Sequence, residues 1–367
     1  MSEPRPRKPA LRRAAVAAVL LAALLLLAWQ VRKVGAGALL ARFAGAHPGW
    51  LAAAAGITVL RFVASALRLG WLTGRLLPVR KRHYFPIVMA AQFLALAIPG
   101  VRAGASLVRA HLADRHFGGG IATHVGPNIV DQAILALSWI LVSAVALPFA
   151  ALAHAGSLSG KAVVGLVLGL GLIVLAYVLV RRHGERLEAW LARPREGRRG
   201  RLAEAGQAAV RGTGALLDDP VALLGNLAGG LAFVLLTGLA QWAALRAVGA
   251  PVSWWIALLA VAVGGATGMA TGAPGGIGVT EVTQAAFLHS QGVPREIAIA
   301  GVFLARGLHY LVILAAGGLS LAWEAARGTG ILPAGTSAVT STHPSPEQQE
   351  DGETIPRDGS SPHVPPP

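Results

Sequence analysis

The sequence contains no cysteine and little charge. The absence of cysteine from all 367 residues excludes disulfide frameworks, thiolate zinc sites, iron–sulfur clusters and a cysteine nucleophile. Only 13% of the residues are charged, whereas a soluble domain carries about 25%. With 54% hydrophobic residues, most of the surface cannot face water. The composition therefore predicts a membrane protein.

Acidic residues are scarce relative to basic ones. Seventeen Asp and Glu stand against 32 Lys and Arg, which gives a formal net charge of +15. The basic residues occur in short clusters between apolar runs, which is typical of loops that fix membrane topology. A nucleic-acid-binding protein would need a polar surface that combines arginines with stacking aromatics. The sequence has no such region, so we expect no nucleic-acid partner.

Long apolar runs predict an all-α polytopic protein with about eight hydrophobic segments. A basic amino terminus, 1–13, precedes a transmembrane domain, 14–326, and a polar tail, 327–367, is predicted to be disordered. A cleaved signal peptide is the alternative for the first run, but Trp29, Arg32 and Lys33 separate that run from the small residues a cleavage site needs. The predicted segments are 14–28, 50–72, 84–98, 129–150, 162–180, 221–245, 254–270 and 297–323.

Two of these segments stop at proline–glycine turns. Such residues break a helix, and broken segments at corresponding places in two halves are typical of transporters built from inverted repeats. We therefore predict two re-entrant hairpins that line a polar cavity. The alternative is that the turns only kink two ordinary spanning helices. The predicted turn residues are Pro99, Gly100 and Gly104, and Pro274, Gly275, Gly276 and Gly278.

The distribution of basic residues predicts the orientation. Residues 1–13, the loop around Arg80 and the arginine-rich loop 181–219 are placed in the cytoplasm. If the two hairpins open toward opposite faces, the outer connections hold few basic residues. The sequence thus predicts a multi-pass protein of the cytoplasmic membrane with both termini in the cytoplasm.

Glu281 is the leading candidate for a functional residue. It follows the second glycine-rich turn, where a new helix is predicted to begin, and a carboxylate in a first helical turn is stabilised by exposed N–H groups. Arg306 in the next helix is its predicted partner. Ionisable residues inside a membrane usually serve function, although a purely structural ion pair is the alternative.

The first half contains a second set of candidates. Arg109 follows the first hairpin turn and could hold a phosphate through its guanidinium fork, or extend to the lipid headgroups. Arg61 and Arg68 are about two helical turns apart and share a face, which suits an anionic headgroup path. The alternative is that they extend from the helix ends to the lipid headgroups. Asp131 is placed near the start of its span, where it could pair with one of these arginines.

Histidines are assigned no metal or proton-carrying role. His309 lies one turn after Arg306 and is interpreted as a hydrogen-bonded core residue. The group of His111, Asp114 and His116 resembles a metal site, but only His111 and Asp114 share a helical face. No metal ion and no cofactor are predicted, and the sequence lacks a nucleotide-binding motif.

These motifs together resemble the flippase-like family of the lysylphosphatidylglycerol synthase (multiple peptide resistance factor) transmembrane region. The resemblance covers roughly 14–323. It is confined to the transmembrane region, and we expect the family's soluble aminoacyl-transferase domain to be missing from this sequence. It implies about eight membrane segments with two re-entrant hairpins and movement of lipids between leaflets. Relatives often have an acid where this chain has Ser106 and an arginine where it has Asn128. The residues that carry the resemblance are Arg68-Leu69-Gly70-Trp71, Pro99-Gly100, Gly104, Arg109, Asp131, the run Pro274-Gly275-Gly276-Ile277-Gly278-Val279-Thr280-Glu281, and Arg306.

The sequence therefore predicts a non-enzymatic transporter of an anionic lipid, either a phospholipid or a polyprenyl-phosphate-linked lipid. Arginines would hold the phosphate, and Glu281 would balance their charge. Pairing of Glu281 with Arg306 argues against proton coupling, since it keeps the carboxylate ionised. The alternatives are a scaffold or accessory subunit that binds a lipid-biosynthesis enzyme or assembles as a homo-oligomer, and a membrane-embedded transferase, which would need clustered carboxylates or a histidine base.

Overall fold

The fold consists of α-helices throughout the part of the chain that the computed structural model describes. The described residues are 36–97, 105–153, 197–270 and 277–326, with isolated positions between 171 and 189. Of the predicted regions, 1–13, 14–28 and the tail 327–367 lie wholly outside them, and the predicted span 162–180 lies largely outside them. The helices are α1 (Ala36–Ala44), α2 (Pro48–Thr73), α3 (Tyr84–Ala97), α4 (Ala105–Phe117), α5 (Ile121–Ala153), α6 (Gly197–Leu217), α7 (Pro220–Ala247), α8 (Trp254–Ala270), α9 (Val279–Ser290), α10 (Arg295–Val312) and α11 (Gly318–Ala326).

Four helical stretches among the described residues are long and apolar enough to cross a bilayer. They are α2, the first 26 residues of α5, α7, and the run from α10 into α11. Two shorter apolar helices, Tyr84–Ala95 and Trp254–Gly268, lie within α3 and α8. These helices confirm the prediction of an all-helical, multi-pass membrane protein.

The exterior of the bundle is apolar, as its core is. Several leucines point outward, with Leu319 exposed to 73%, Leu224 to 66% and Leu311 to 62%. Polar side chains such as Asn226 and Gln284 are buried between the helices. An apolar exterior suits hydrocarbon, where water cannot solvate exposed polar groups.

Helix α7 packs along α2 through glycines. A Cβ atom on Gly225 would overlap the indole of Trp71, and one on Gly229 would lie 3.3 Å from Arg68 Cβ. Small residues let membrane helices approach closely, because no hydrophobic effect drives their association within lipid. This close approach packs the carboxyl-terminal part of α2, which contains Arg68, against α7.

Helix α5 begins earlier than the sequence analysis predicted. The predicted span begins at residue 129, whereas the helix begins at Ile121 and includes the polar stretch before it. Its polar side chains find acceptors locally: Asn128 Nδ2 donates to the His124 carbonyl at 2.8 Å, and the His124 ring contacts the Gly118 carbonyl at 2.9 Å. Asp131 consequently lies several turns inside the helix rather than near its start.

The arginine-rich segment 181–219 is not only a connecting loop. Its second part forms α6, which packs against α5 where Gly126 lies against the backbone of Gly212 and Thr213. Leu216 is fully buried in this contact. The alanines, leucines and arginines of α6 are good helix formers, and the glycine on α5 provides space for the α6 backbone.

Two helix pairs flank the predicted hairpin turns. Helices α3 and α4 contact each other on either side of 98–104, and α8 and α9 do so on either side of 271–276. The predicted turn residues Pro99, Gly100, Gly104, Pro274, Gly275 and Gly276 lie outside the described residues. Gly278 is described and has a φ of 84°, a conformation that favours glycine. Re-entry of these pairs from one membrane face stays a prediction.

The last predicted span is interrupted by a π-helical turn. Residues Ile313–Gly317 form this turn between α10 and α11. A Cβ atom on Gly317 would lie 2.7 Å from the Met89 carbonyl oxygen, so α3 approaches this point closely. Such turns often occur near functional sites, and this one begins one helical turn after His309.

Asp219 caps the amino terminus of α7. Its Oδ1 accepts a hydrogen bond from the Ala222 N–H at 2.9 Å, and its Oδ2 accepts one from Arg75 Nε at 2.7 Å. The backbone bond first, and then the arginine, hold the pKa of the Asp219 carboxyl below its usual value. The folded pKa is therefore lower than the unfolded one.

We expect this cap to make the free energy of unfolding depend on pH in the acidic range. The contribution is fully present above the unfolded pKa of about 3.9 and is lost as pH falls through the lower folded pKa. Asp219→Asn retains the capping acceptor but removes the charge, so its melting temperature should fall less with acid than that of the wild type. Thermal unfolding in detergent from about pH 6 down to about pH 2 checks this. Parallel curves for the two proteins would contradict the assignment.

Candidate functional site

Arg68 and Asp131 form a buried bidentate ion pair between α2 and α5. Arg68 Nε lies 2.6 Å from Asp131 Oδ1, and Arg68 Nη2 lies 3.0 Å from Oδ2. Both side chains are 1% exposed. The two parallel hydrogen bonds fix the orientation of the guanidinium plane. Asp131 thus has the arginine partner that the sequence left open between several candidates.

The neighbouring helix α7 accommodates the Arg68 side chain. Gly229 faces its Cβ and Cγ atoms, and a Cβ atom on Gly230 would lie 3.7 Å from its Nη1. The Phe233 ring lies one turn further, with its centroid 5.5 Å from Arg68 Cζ. The glycines provide space and the ring provides an attractive face for the cation.

Arg109 extends the ion pair into a cluster. It is 8% exposed, so it lies inside the bundle instead of extending to the headgroups. Its Nη2 donates to Ser106 Oγ at 3.1 Å, and its charge interacts with those of Asp131 and Arg68. We call Arg68, Arg109 and Asp131 the first cluster.

The first cluster contains N–H groups that donate to no acceptor among the described residues. Arg68 Nη1 and Arg109 Nε are both buried and have no hydrogen-bond partner among the described residues. An unsatisfied buried donor is costly, and in native structures such a donor usually has an unseen partner such as a water or an ion. These donors are therefore available to an anion.

Glu281 and Arg306 form the second ion pair, as the sequence predicted. Arg306 Nε donates to Glu281 Oε1 at 2.5 Å, and the Gly278 N–H donates to Oε2 at 2.7 Å. Glu281 lies in the first turn of α9, where the helix dipole favours a negative charge. Its side chain is 5% exposed and that of Arg306 is 18% exposed.

Arg61 joins this pair from α2. Its Nη2 contacts the Nδ1 atom of His309, and the His309 ring stacks on Phe62 with 5.4 Å between centroids. Arg61 is close enough to Arg306 for their charges to repel. Arg61 Nε is buried without a hydrogen-bond partner among the described residues. We call Arg61, Arg306 and Glu281 the second cluster, with His309 beside it.

The two clusters have the same composition. Within the described residues, each holds two arginines against one carboxylate, which leaves a surplus of one positive charge. Guanidinium groups bind phosphate through paired hydrogen bonds and are weakly hydrated, so burial costs them less than it costs an ammonium group. The arrangement is chemically suited to binding a phosphate-containing anion.

Asp114 and His116, two members of the His111, Asp114 and His116 group on α4, make separate contacts with different parts of the chain. Asp114 Oδ1 accepts from the Gly120 N–H at 2.8 Å, and His116 Nε2 lies 3.2 Å from His83 Nδ1. Within the described ranges, no group of three possible metal-ligating side chains comes together.

Several contacts at the site were not predicted from the sequence. Ser106, noted as a departure from the family pattern, accepts from Arg109. The contact between Arg61 and His309 joins residues 248 positions apart, so no local spacing signals it. Asn226 is fully buried on α7, and neither its Oδ1 nor its Nδ2 has a partner among the described residues. The sequence could have pointed to Asn226 only because it is a polar residue within an apolar run.

Comparison with known families agrees with these features. The family model described as the lysylphosphatidylglycerol synthase transmembrane region matches residues 15–317. The chain belongs to this family. The match covers every described helix of both clusters, from α2 to α10, and confirms the resemblance inferred from the motifs. Searches of curated proteins and of solved structures give no match.

Proposed function

We propose that this member of the lysylphosphatidylglycerol synthase transmembrane family moves an anionic lipid between the leaflets of the cytoplasmic membrane. The observation that carries the proposal is the surplus of arginine in both clusters, buried in the first and part-buried in the second, inside a bundle whose exterior is apolar. An isolated charge in a membrane is expensive, and its presence usually marks an ion or substrate pathway.

A purely structural role accounts less well for the surplus. Replacing a buried ion pair by apolar side chains is often neutral or stabilising, so stability alone does not require the pairs. Stability gives even less reason for the additional arginines, Arg61 and Arg109. Neither has a carboxylate of its own among the described residues. A lipid phosphate would neutralise the surplus and accept from the buried donors.

In the proposed mechanism, the carboxylates hold the arginines in place between transport events. Asp131 orients Arg68, and Glu281 orients Arg306. The arginine side chains are therefore already ordered, and lipid binding loses less conformational entropy. The phosphate binds the remaining donors while the acyl chains stay in the lipid. Motion of the predicted hairpins would then expose the headgroup to the other leaflet.

The proposal includes no covalent chemistry. Each carboxylate of the clusters is paired with an arginine, which favours charge balance over a role as a metal ligand or a general base. We place both termini in the cytoplasm because of the distribution of basic residues. A lipid-biosynthesis enzyme or a second copy of the chain remains the proposed protein partner.

Mass spectrometry of lipids that copurify with the detergent-solubilised protein tests the function. We expect one anionic lipid to be enriched in the wild type and lost in Arg306→Ala. Arg75→Ala is the matched control, because Arg75 pairs with Asp219 at the surface and its side chain is 40% exposed. The control should retain the lipid. The same bulk lipids in all three proteins would contradict a specific site and favour the scaffold alternative.

A further inference from the structure

We propose that His83 and His116 form a latch between the ends of α3 and α4, and that protonation of both rings opens it. His83 ends a 3₁₀ turn, Lys81–His83, that directly precedes α3, and His116 is the penultimate residue of α4. Both histidines therefore lie at the helix ends remote from residues 98–104, which connect α3 to α4. We call this pair the histidine latch. Its role in regulating lipid movement rests on the function proposed above.

The geometry of the latch requires that one ring be an acceptor. His116 Nε2 lies 3.2 Å from His83 Nδ1, and the two ring planes cross at 82°. A neutral imidazole has one N–H donor and one acceptor nitrogen, whereas a protonated imidazole has two donors. One proton between the two nitrogens therefore forms a hydrogen bond. When both rings are protonated, two N–H groups of like charge face each other and the hydrogen bond is lost.

Aromatic contacts join the latch to two further helices. The Phe117 ring stacks on Tyr84 with 5.2 Å between centroids, and it lies 6.5 Å from the ring of His124 on α5. The His116 ring lies 6.5 Å from the Trp323 ring on α11. Opening of the latch removes the hydrogen bond from this group of contacts, so the end of α4 is held less firmly against its neighbours.

A run of three glycines follows α4 directly. Gly118, Gly119 and Gly120 have φ values of 72°, 91° and 84°, a region that glycine adopts without steric cost. Two side chains hold this backbone: Asp114 Oδ1 accepts from the Gly120 N–H at 2.8 Å, and Thr123 Oγ1 donates to the Gly119 carbonyl at 2.6 Å. A short run of small residues between two helices can absorb large changes in backbone angles. The run therefore suits a hinge about which α4 moves relative to α5.

Basic residues predominate around the latch. Lys81 Nζ lies 4.1 Å from the centroid of the Trp71 ring, and Asp114 is bonded to the backbone of Gly120. A doubly protonated latch is thus repelled by its surroundings as well as within itself. Both histidines are part-buried, so protons from water reach them. The titratable and charged residues near the latch in sequence or at the adjacent helix ends are Arg75 after α2, Arg80, Lys81 and Arg82 before α3, His111, Asp114 and Arg115 on α4, His124 on α5, and Glu324 on α11.

Movement of α4 would alter the first cluster. Arg109 lies on α4 seven residues before His116, which is about 10 Å along the helix axis. Its charge interacts with those of Asp131 and Arg68, which belong to α5 and α2. With the latch closed, α4 holds Arg109 in place within the first cluster. With the latch open, Arg109 can move relative to Asp131, so acid should speed lipid movement.

Electron paramagnetic resonance measures the latch directly. Because the chain contains no cysteine, Arg80→Cys and Arg115→Cys introduce two unique sites for nitroxide labels, and both positions are exposed. The labelled full chain is placed in vesicles of phosphatidylcholine and phosphatidylglycerol. We expect the distance between the nitroxides to increase between about pH 8 and about pH 5.5, the range in which histidine gains its proton.

The variants test whether the two histidines cause the change. Glutamine can donate to a neutral His83 and accept from a protonated one, so the label distance in His116→Gln should not change with pH. His111→Gln is the matched control, because it removes a histidine of the same helix that is not part of the latch, and it should respond as the wild type does. If His116→Gln does not fold, His83→Gln tests the same contact from α3.

Leaflet exchange of a fluorescent phosphatidylglycerol is measured in the same vesicles at both pH values. Its phosphodiester keeps a single negative charge throughout this range, so a change does not arise from the lipid. Exchange by the wild type and by His111→Gln should be about tenfold faster at the lower pH, the factor given by loss of one charged hydrogen bond. His116→Gln should be slow at both pH values.

Two results would overturn the latch. One is a label distance in the wild type that does not change with pH, and the other is an equal increase in His116→Gln, because other groups would then respond to acid. Opening that depends on His116 with exchange equally sensitive to pH in His116→Gln would contradict regulation and assign the response to another histidine, such as His309. Opening that depends on His116 without exchange above protein-free vesicles would support the latch and contradict the proposed function.

Discussion

Asp131→Ala is expected to lower the free energy of unfolding by about 3–5 kcal/mol, the cost of removing one partner of a buried ion pair. The change leaves Arg68 and Arg109 without their shared counter-charge in the interior of the bundle. It also removes the acceptor of the Gln132 side-chain amide, whose Nε2 lies 3.0 Å from Asp131 Oδ2. No other carboxylate among the described residues pairs with Arg68.

Thermal unfolding in detergent measures this effect. Asp114→Ala is the matched control, since its carboxylate bonds the backbone of an exposed turn and should affect unfolding little. The double variant Arg68→Met/Asp131→Leu should recover part of the loss, because it removes both charges of the pair. Equal melting temperatures for Asp131→Ala and the control would show that the pair is not energetically important.

Glu281→Gln is expected to slow lipid movement at least about tenfold while lipid binding becomes stronger. The glutamate accepts from Arg306 Nε and from the Gly278 N–H through different oxygens. An amide has one acceptor oxygen, so one of these donors loses its partner. The second cluster then has two arginines and no carboxylate of its own, so it holds the phosphate more tightly, and one charged hydrogen bond is sufficient for a change of this size.

The measurement compares lipid binding with leaflet exchange in vesicles that contain purified protein. Gln284→Ala is the control, because Gln284 is buried one turn further along α9 but is uncharged. Stronger binding with slower exchange would distinguish this role from a structural ion pair, for which unfolding is the expected result. Unchanged exchange in Glu281→Gln would contradict the proposed function of the second cluster.

The Glu281–Arg306 pair of the second cluster was predictable from the sequence. Glu281 follows a glycine-rich turn at the start of a helix, and Arg306 is the one arginine in the interior of the next apolar run. When a membrane segment contains so few charges, opposite charges on successive helices have few alternative partners. The pairing was therefore strongly constrained before any packing was known.

The first cluster was predictable only in its members. The sequence grouped Arg61 and Arg68 on one face and predicted that Asp131 could pair with one of the arginines of the first half, but it did not select which one. Different helices border the two positions on α2, so Arg68 meets Asp131 whereas Arg61 meets His309. That choice depends on how closely α7 approaches α2 at Gly225 and Gly229, a property of three helices together.

The sequence by itself determined that this is a polytopic helical membrane protein, which family it resembles, and which few charged residues lie within its apolar segments. Composition and run length are sufficient for this because lipid accepts only helices whose backbone hydrogen bonds are satisfied internally. The tertiary structure alone decided that the arginines divide into two clusters with the same surplus of charge. Side chains distant in sequence pair according to helix contacts, and glycine packing and local capping, rather than residue spacing, set those contacts.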